Sequence, residues 1–213
     1  MMKYVSSLFI NLIFLSVYAQ QVRQYDLVRQ FQEHKLQNFS KQVKRVLKEP
    51  GKKAISASGI TWLEGADFKE GIIEVDLRGR NISQQSFLGI AFNGIDTSHY
   101  EAVYFRPFNF GSPDTLRQKH TVQYISMPDN PWYKLRKEHP LLYENKADPM
   151  PGPENWFHAT IIVRADTVDV DINYSNKPSL KVRRLGIQPG YKIALWSDGL
   201  PGYFSNLVIK PLN

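Results

Sequence analysis

The chain has 213 residues with 42% hydrophobic, 13% aromatic and 22% charged content, which describes one ordinary globular domain with at most a small appendage. It has no cysteine, which excludes a disulfide scaffold, a thiolate zinc site and a thiol nucleophile. The formal charge of +7 is spread out, with its densest run at Lys41, Lys44, Arg45, Lys48, Lys52 and Lys53, and no nucleic-acid module accompanies it. We read that run as a solvated face, with a mild attraction to acidic glycans as the sharper alternative.

In chain order, Lys3 precedes an apolar run over residues 4–17, and Val17-Tyr18-Ala19 follows with small residues at the −3 and −1 positions. This is the layout of a secretory signal peptide over residues 1–19, too short in its apolar part to span a bilayer. Cleavage after Ala19 leaves a periplasmic or secreted chain with no stable membrane insertion. Residues 20–37 form an N-terminal extension. Tyr25, Leu27, Val28, Phe31 and Leu36 recur there at loose helical spacing, so a short helix over 22–37 is expected, with an extended entry strand as the alternative.

From residue 38 onward the signals are those of strands. Short β-branched or aromatic runs fall at 42–47, 54–58, 60–63, 71–77, 87–93, 100–105 and 120–126, then at 156–164, 167–174, 191–196 and 203–209. Glu49-Pro50-Gly51 and Ala165-Asp166 read as hairpin turns. Crossover helices are missing between these runs, which favours an antiparallel two-sheet sandwich over a parallel sheet. Residues 126–153 interrupt the rhythm with Pro128, Pro131, Pro140, Pro149, Pro151 and Pro153 alongside Trp132, Tyr133 and Tyr143. A stiff, aromatic loop of that length is a candidate lid or rim.

The densest polar and aromatic stretch is residues 100–110 (YEAVYFRPFNF). On a strand, Tyr100, Ala102, Tyr104 and Arg106 share one face, offering ring surface to stack on a sugar and a guanidinium for its hydroxyls or a carboxylate. An Arg paired to an acid across two strands is the structural alternative. His120, Gln123 and Tyr124 sit on the next strand, close enough in a sheet to join that face. Substrate-binding candidates are Tyr104, Arg106, Asn109, Gln123, Trp132 and Tyr143, and the acid/base candidates are His120 and Glu144. The histidines show no short metal-ligand spacing, so no metal or cofactor is expected, although a calcium ion held by loop carbonyls would leave little sequence trace. Asp169 and Asp171 read as the solvated side of a hairpin.

Glu74 and Asp76 lie two apart and look like the opening of the Glu-x-Asp-x-(x)-Glu signature of family 16 glycoside hydrolases. Leu77, Arg78 and Gly79 follow where the second Glu belongs, so the pair reads as outward-facing strand residues. Residues 68–76 (FKEGIIEVD), 86–92 (SFLGIAF), 104–110 (YFRPFNF), 122–125 (VQYI), 156–158 (WFH) and 202–207 (GYFSNL) resemble exported bacterial proteins with a concanavalin A-like (laminin G-like) jelly roll. These are grouped with the 3-keto-disaccharide hydrolase domain family. The resemblance implies a jelly roll over residues 38–213 and a carbohydrate ligand. Three functions stay open on it: a glycan-binding domain, a glycoside or keto-glycoside hydrolase or lyase using the same groove, and a purely structural domain. Sugar identity and oligomeric state are left open by the sequence.

Overall fold

The computed structural model describes residues 21–39, 42–46, 51–186 and 189–212. The expected signal peptide lies outside them. The elements in order are β1 (Arg23–Tyr25), α1 (Leu27–Gln32), β2 (Leu36–Asn38), β3 (Val43–Val46), β4 (Ala54–Asp67), β5 (Gly71–Arg78), β6 (Ser86–Gly94) and β7 (Tyr100–Phe105). A 3-10 turn (Pro107–Asn109), α2 (Thr115–Gln118), β8 (Val122–Met127), α3 (Trp132–Glu138) and β9 (Glu144–Asn145) follow. The chain then runs through β10 (Phe157–Val163), β11 (Thr167–Ile172), β12 (Leu180–Arg183) and β13 (Lys192–Lys210).

Every strand pairing is antiparallel, and the strands form a two-layer jelly-roll sandwich. The long β13 belongs to both layers. Its residues 192–199 pair with β6, and its residues 203–210 pair with β5. One layer is ordered β9-β8-β7-β6-β13 and the other β12-β11-β10-β5-β13, while β4 runs along the opposite edge of β13 with a register shift between Ser197 and Gly202. Alternation along each strand decides which side chains meet between the layers. From the first layer, Leu88, Ile90, Val103, Phe105 and Val122 point inward. They meet Ile73, Val75, Leu77, Phe157, Ile161 and Val170 of the second, all essentially without solvent exposure. Phe157 closes the gap edge-on to Phe105 and Phe110, at centroid distances of 5.0 and 5.4 Å.

The two layers are also tied by a buried ion pair. Glu101 on β7, fully buried, receives Nη2 and Nε of Arg184 at 2.6 and 3.0 Å and the Tyr124 hydroxyl at 2.7 Å. Arg184 also donates to the carbonyls of Arg164 and Ala165. A charge this deep persists only because each of its oxygens is hydrogen-bonded.

Several expectations are corrected in detail. The helix expected over 22–37 shrinks to six residues, capped by Asp26, whose carboxylate accepts from the Val28 and Arg29 amides. Its flanks are captured as strands because β1 finds an open edge on β13 and β2 one on β4. The expected strands 54–58 and 60–63 are one strand, as are 191–196 and 203–209, since the Leu200-Pro201-Gly202 break is absorbed as a bulge. Residues 180–183 form an additional edge strand, β12. The long proline-rich excursion carries α3, which starts directly after Pro131. Asp169 is not solvated: it is covered by Arg164 at 2.8 Å and by Lys181 at 3.8 Å. Glu74 and Asp76 do face outward from the second layer, yet Asp76 is buried under its partners. Among the described residues, no helix is long and apolar enough to cross a membrane.

Candidate functional site

A cavity of about 650 Å³ opens on the outer face of the first layer, within the size range of small-molecule sites. Its floor follows from strand alternation. Pairing aligns Trp196 (β13), Gly89 (β6), Tyr104 (β7), Gln123 (β8) and Glu144 (β9) in one row across five strands. The Tyr104 and Trp196 rings meet with centroids 4.8 Å apart, and Trp196 Nε1 donates to the Tyr100 hydroxyl at 3.2 Å. Phe87 and Phe108 meet edge-on at 5.2 Å beside them.

Arg106 leaves the end of β7 and turns back over this floor. Its guanidinium stacks on the Tyr104 ring at 4.9 Å, and Nη2 donates to the Tyr104 hydroxyl at 2.7 Å and to Gln123 Oε1 at 3.1 Å. Nη1 donates to the His120 carbonyl at 2.9 Å and lies 3.7 Å from Glu144 Oε2. Burial lowers the Arg106 pKa and holds the Tyr104 phenol up at about 12, so the tyrosine is neutral at physiological pH.

Glu144 sits beneath the wall, 2% exposed. Arg136 of α3 grips it with Nε and Nη2 at 2.8 and 2.5 Å, a two-pronged pairing. His120 Nδ1 stands 2.8 Å from Glu144 Oε2 without an aligned hydrogen bond. Burial lowers the His120 pKa from its ordinary 6.5, against the opposing pull of Glu144, which keeps the ring neutral at pH 7. With Nδ1 sealed, the remaining edge of the ring is the part available to a ligand.

Of the residues singled out from sequence, Tyr104, Arg106, Asn109, His120 and Trp132 line the cavity. Gln123 and Glu144 lie behind it, Gln123 accepting from Arg106 and Glu144 standing against His120. Tyr143 packs on Tyr124 and His139 and is not part of the lining. Tyr124, expected to join the Tyr104 face, points between the layers because it neighbours Gln123 on the same strand. The long excursion supplies the rim: Trp132 is 45% and Tyr133 63% exposed, edge-on to each other at 5.9 Å. Arg117, Arg136, Trp196 and Asp198 complete the wall and were not singled out from sequence. Trp132 and Arg136 are four apart, and the guanidinium lies 5.0 Å from the indole centroid, a spacing that would have revealed Arg136 had the segment been read as helix.

A second cluster lies on the outer face of the other layer. Asp76 accepts from Lys52 and Asn206, each at 2.6 Å, and meets His158 Nδ1 at 2.9 Å, while Tyr174 stacks over the imidazole at 4.1 Å. Among the described residues, no three histidines or carboxylates converge as a metal-ligand set.

No protein family matches the chain, and no curated protein is recognisably similar to it. Solved structures do match in fold. The carbohydrate-binding module CBM66 from Bacillus subtilis superposes with a TM-score of 0.53 at 10% identity, over 79% of this chain and 91% of that one. A native glycosidic hydrolase gives 0.50 at 12% identity, over 79% and 81%. At these identities the likeness is one of architecture: an antiparallel β-sandwich of the kind that carbohydrate-active proteins also use.

Proposed function

We propose that the protein is an exported glycan-binding β-sandwich whose ligand lies in the cavity over the Trp196–Tyr104 row. The observation that carries this reading is the composition of that one cavity. Aromatic faces line the floor and stand at the rim, and a few fixed polar groups sit between them. Sugars need both, since their C–H faces stack on rings while their hydroxyls require donors and acceptors. Trp132 and Tyr133 provide the stacking rim, and Asn109 and the open edge of His120 serve hydroxyls. Arg106, with three hydrogen bonds to protein acceptors, keeps the floor in shape and presents its remaining donors. The leader over residues 1–19 would deliver the chain to the periplasm or medium, and N-terminal sequencing of the exported product should begin at Gln20.

Retention of residues 20–213 on a glycan array, followed by calorimetry on the retained sugar, tests the reading. Trp132→Ala should weaken binding roughly two- to tenfold, the value of one aromatic contact, with the unfolding midpoint unchanged. Retention of no glycan at all would overturn it.

A second reading draws on one specific feature, the neutral His120 held against Glu144 at the cavity wall. There His120 is the proton-transferring group of a glycan-cleaving site and Glu144, sealed behind it, the positioning residue. Hydrolysis by two carboxylates has less support, because Asp198 is the carboxylate among the lining residues. Product analysis of any retained glycan separates cleavage from binding.

A further inference from the structure

We infer that the saccharide taken by this cavity carries an anionic group, a carboxylate or a sulfate ester, seated at the β8–β9 end. The inference rests on the glycan-binding reading above and narrows it to a ligand class.

The cavity is electrically lopsided. Among the described residues, three guanidinium groups line it, from Arg106, Arg117 and Arg136, against the single lining carboxylate of Asp198. Their placement along the sheet matters more than their number. Arg136 lies against Glu144 on β9, Arg106 against Gln123 on β8, and Arg117 in the helix that ends just before His120. Asp198 sits on β13, four strand intervals from β9, or roughly 19 Å at about 4.8 Å per interval. Arg136 therefore stands at one end of the trough and Asp198 at the other, with Arg106 between them over the Tyr104 ring.

Glu144 does not cancel the charge at the Arg136 end. One carboxylate faces two guanidinium groups there, and both of its oxygens are already gripped by Arg136. Arg136 still has Nη1 without a protein partner among the described residues, and its side chain is 35% exposed. Among the described residues Arg117 has an ionic partner in Asp114 alone, at 3.7 Å, with both side chains more than half exposed, so water screens that pair. Two guanidinium groups with open donors, beside ring faces, suit a sugar bearing a planar carboxylate or a sulfate. The neutral state of His120 leaves the arginines as the charge that an anion would meet.

The test uses residues 20–213 on an array holding neutral, uronate-bearing and sulfated saccharides, with oligogalacturonate and its methyl ester as a pair that differs in charge alone. The expected result is retention confined to anionic saccharides, weakened at high salt. The uronate and sulfate arms identify which anion is bound. Arg117→Gln, an exposed change that leaves the fold intact, should weaken anionic binding about two- to fivefold. Retention of neutral saccharides alone would overturn the inference while the glycan-binding reading stands, as would anionic retention indifferent to both salt and Arg117→Gln. Retention of nothing would remove the reading and the inference together.

Discussion

Tyr104 and Trp196 meet across an intervening strand because the residue between them in the row, Gly89, has no side chain. A Cβ at Gly89 would lie 2.0 Å from the Val103 carbonyl oxygen and 2.6 Å from Tyr104 Cα, both backbone atoms that cannot swing away. The glycine is thus a steric requirement of the cavity floor.

Gly89→Ala should therefore destabilise the protein by about 1–3 kcal/mol or more through forced strand displacement. It should also abolish ligand retention, because the ring pair moves with the strand. Urea denaturation and the array together check this. A variant with unchanged midpoint and binding would show that the row tolerates displacement.

Glu144→Gln keeps the shape of the side chain but removes the charge that Arg136 and Arg106 share. Arg136 is partly exposed and can recruit water, so the expected loss is about 2–3 kcal/mol, at the lower end for a broken buried pair. The His120 ring should titrate below 6.5 in the parent protein, since burial lowers its pKa, and lower still in the variant, which loses the attraction of Glu144. A folded pKa below the unfolded one means that His120 imposes no penalty above 6.5. Stability then falls as acidification carries the ring down towards its folded value. NMR titration of the imidazole resonances reads both shifts.

Arg184→Ala should be more damaging. Glu101 is fully buried and would keep only the Tyr124 hydroxyl and the Asn93 amide as partners. A loss of about 3–5 kcal/mol is expected by denaturant unfolding. Replacing Glu101 and Arg184 together by methionine should recover much of it, because no uncompensated charge then remains. Equal losses in the single and double variants would contradict this account.

Acid stability should depend on Asp76. Burial alone would raise its pKa, but hydrogen bonds from His158, Lys52 and Asn206 outweigh that and hold it at about 2, against an ordinary 3.8. The unfolded chain therefore takes up this proton more readily. The associated stability, on the order of 2 kcal/mol, is complete above 3.8 and lost as pH falls towards 2. Asp76→Asn should lower stability at neutral pH and flatten the acid limb of a melting-temperature profile over that window.

Much of the sandwich could be read from the sequence because its signal is local. The buried Val168, Val170 and Ile172 of 167–172, the turn at Ala165-Asp166 and the common placing of Tyr100, Tyr104 and Arg106 all reappear in the structure. What sequence could not give was the neighbour across each strand. Trp196 and Asp198 are brought to Tyr104 only by the pairing of β13 with β6, about a hundred residues away in the chain. Arg136 was hidden because prolines on either side made its helix look like loop, although proline fits the residue just before a first helical turn. The seam between the expected strands 191–196 and 203–209 misled for the opposite reason: β13 runs on through it, its two halves held by β6 and β5 while β4 follows both with a register shift.

That seam has a kinetic corollary. β13 pairs with β1, β4, β5 and β6, all from the first half of the chain, and its Ser197 bonds back to Ala57, a separation of 140 residues. Neither layer can close until this segment has been synthesised and threaded between its partners, so high contact order should make folding slow. The trough over Trp196 would then be among the last features to take shape, leaving a long interval in which the nascent polypeptide remains open.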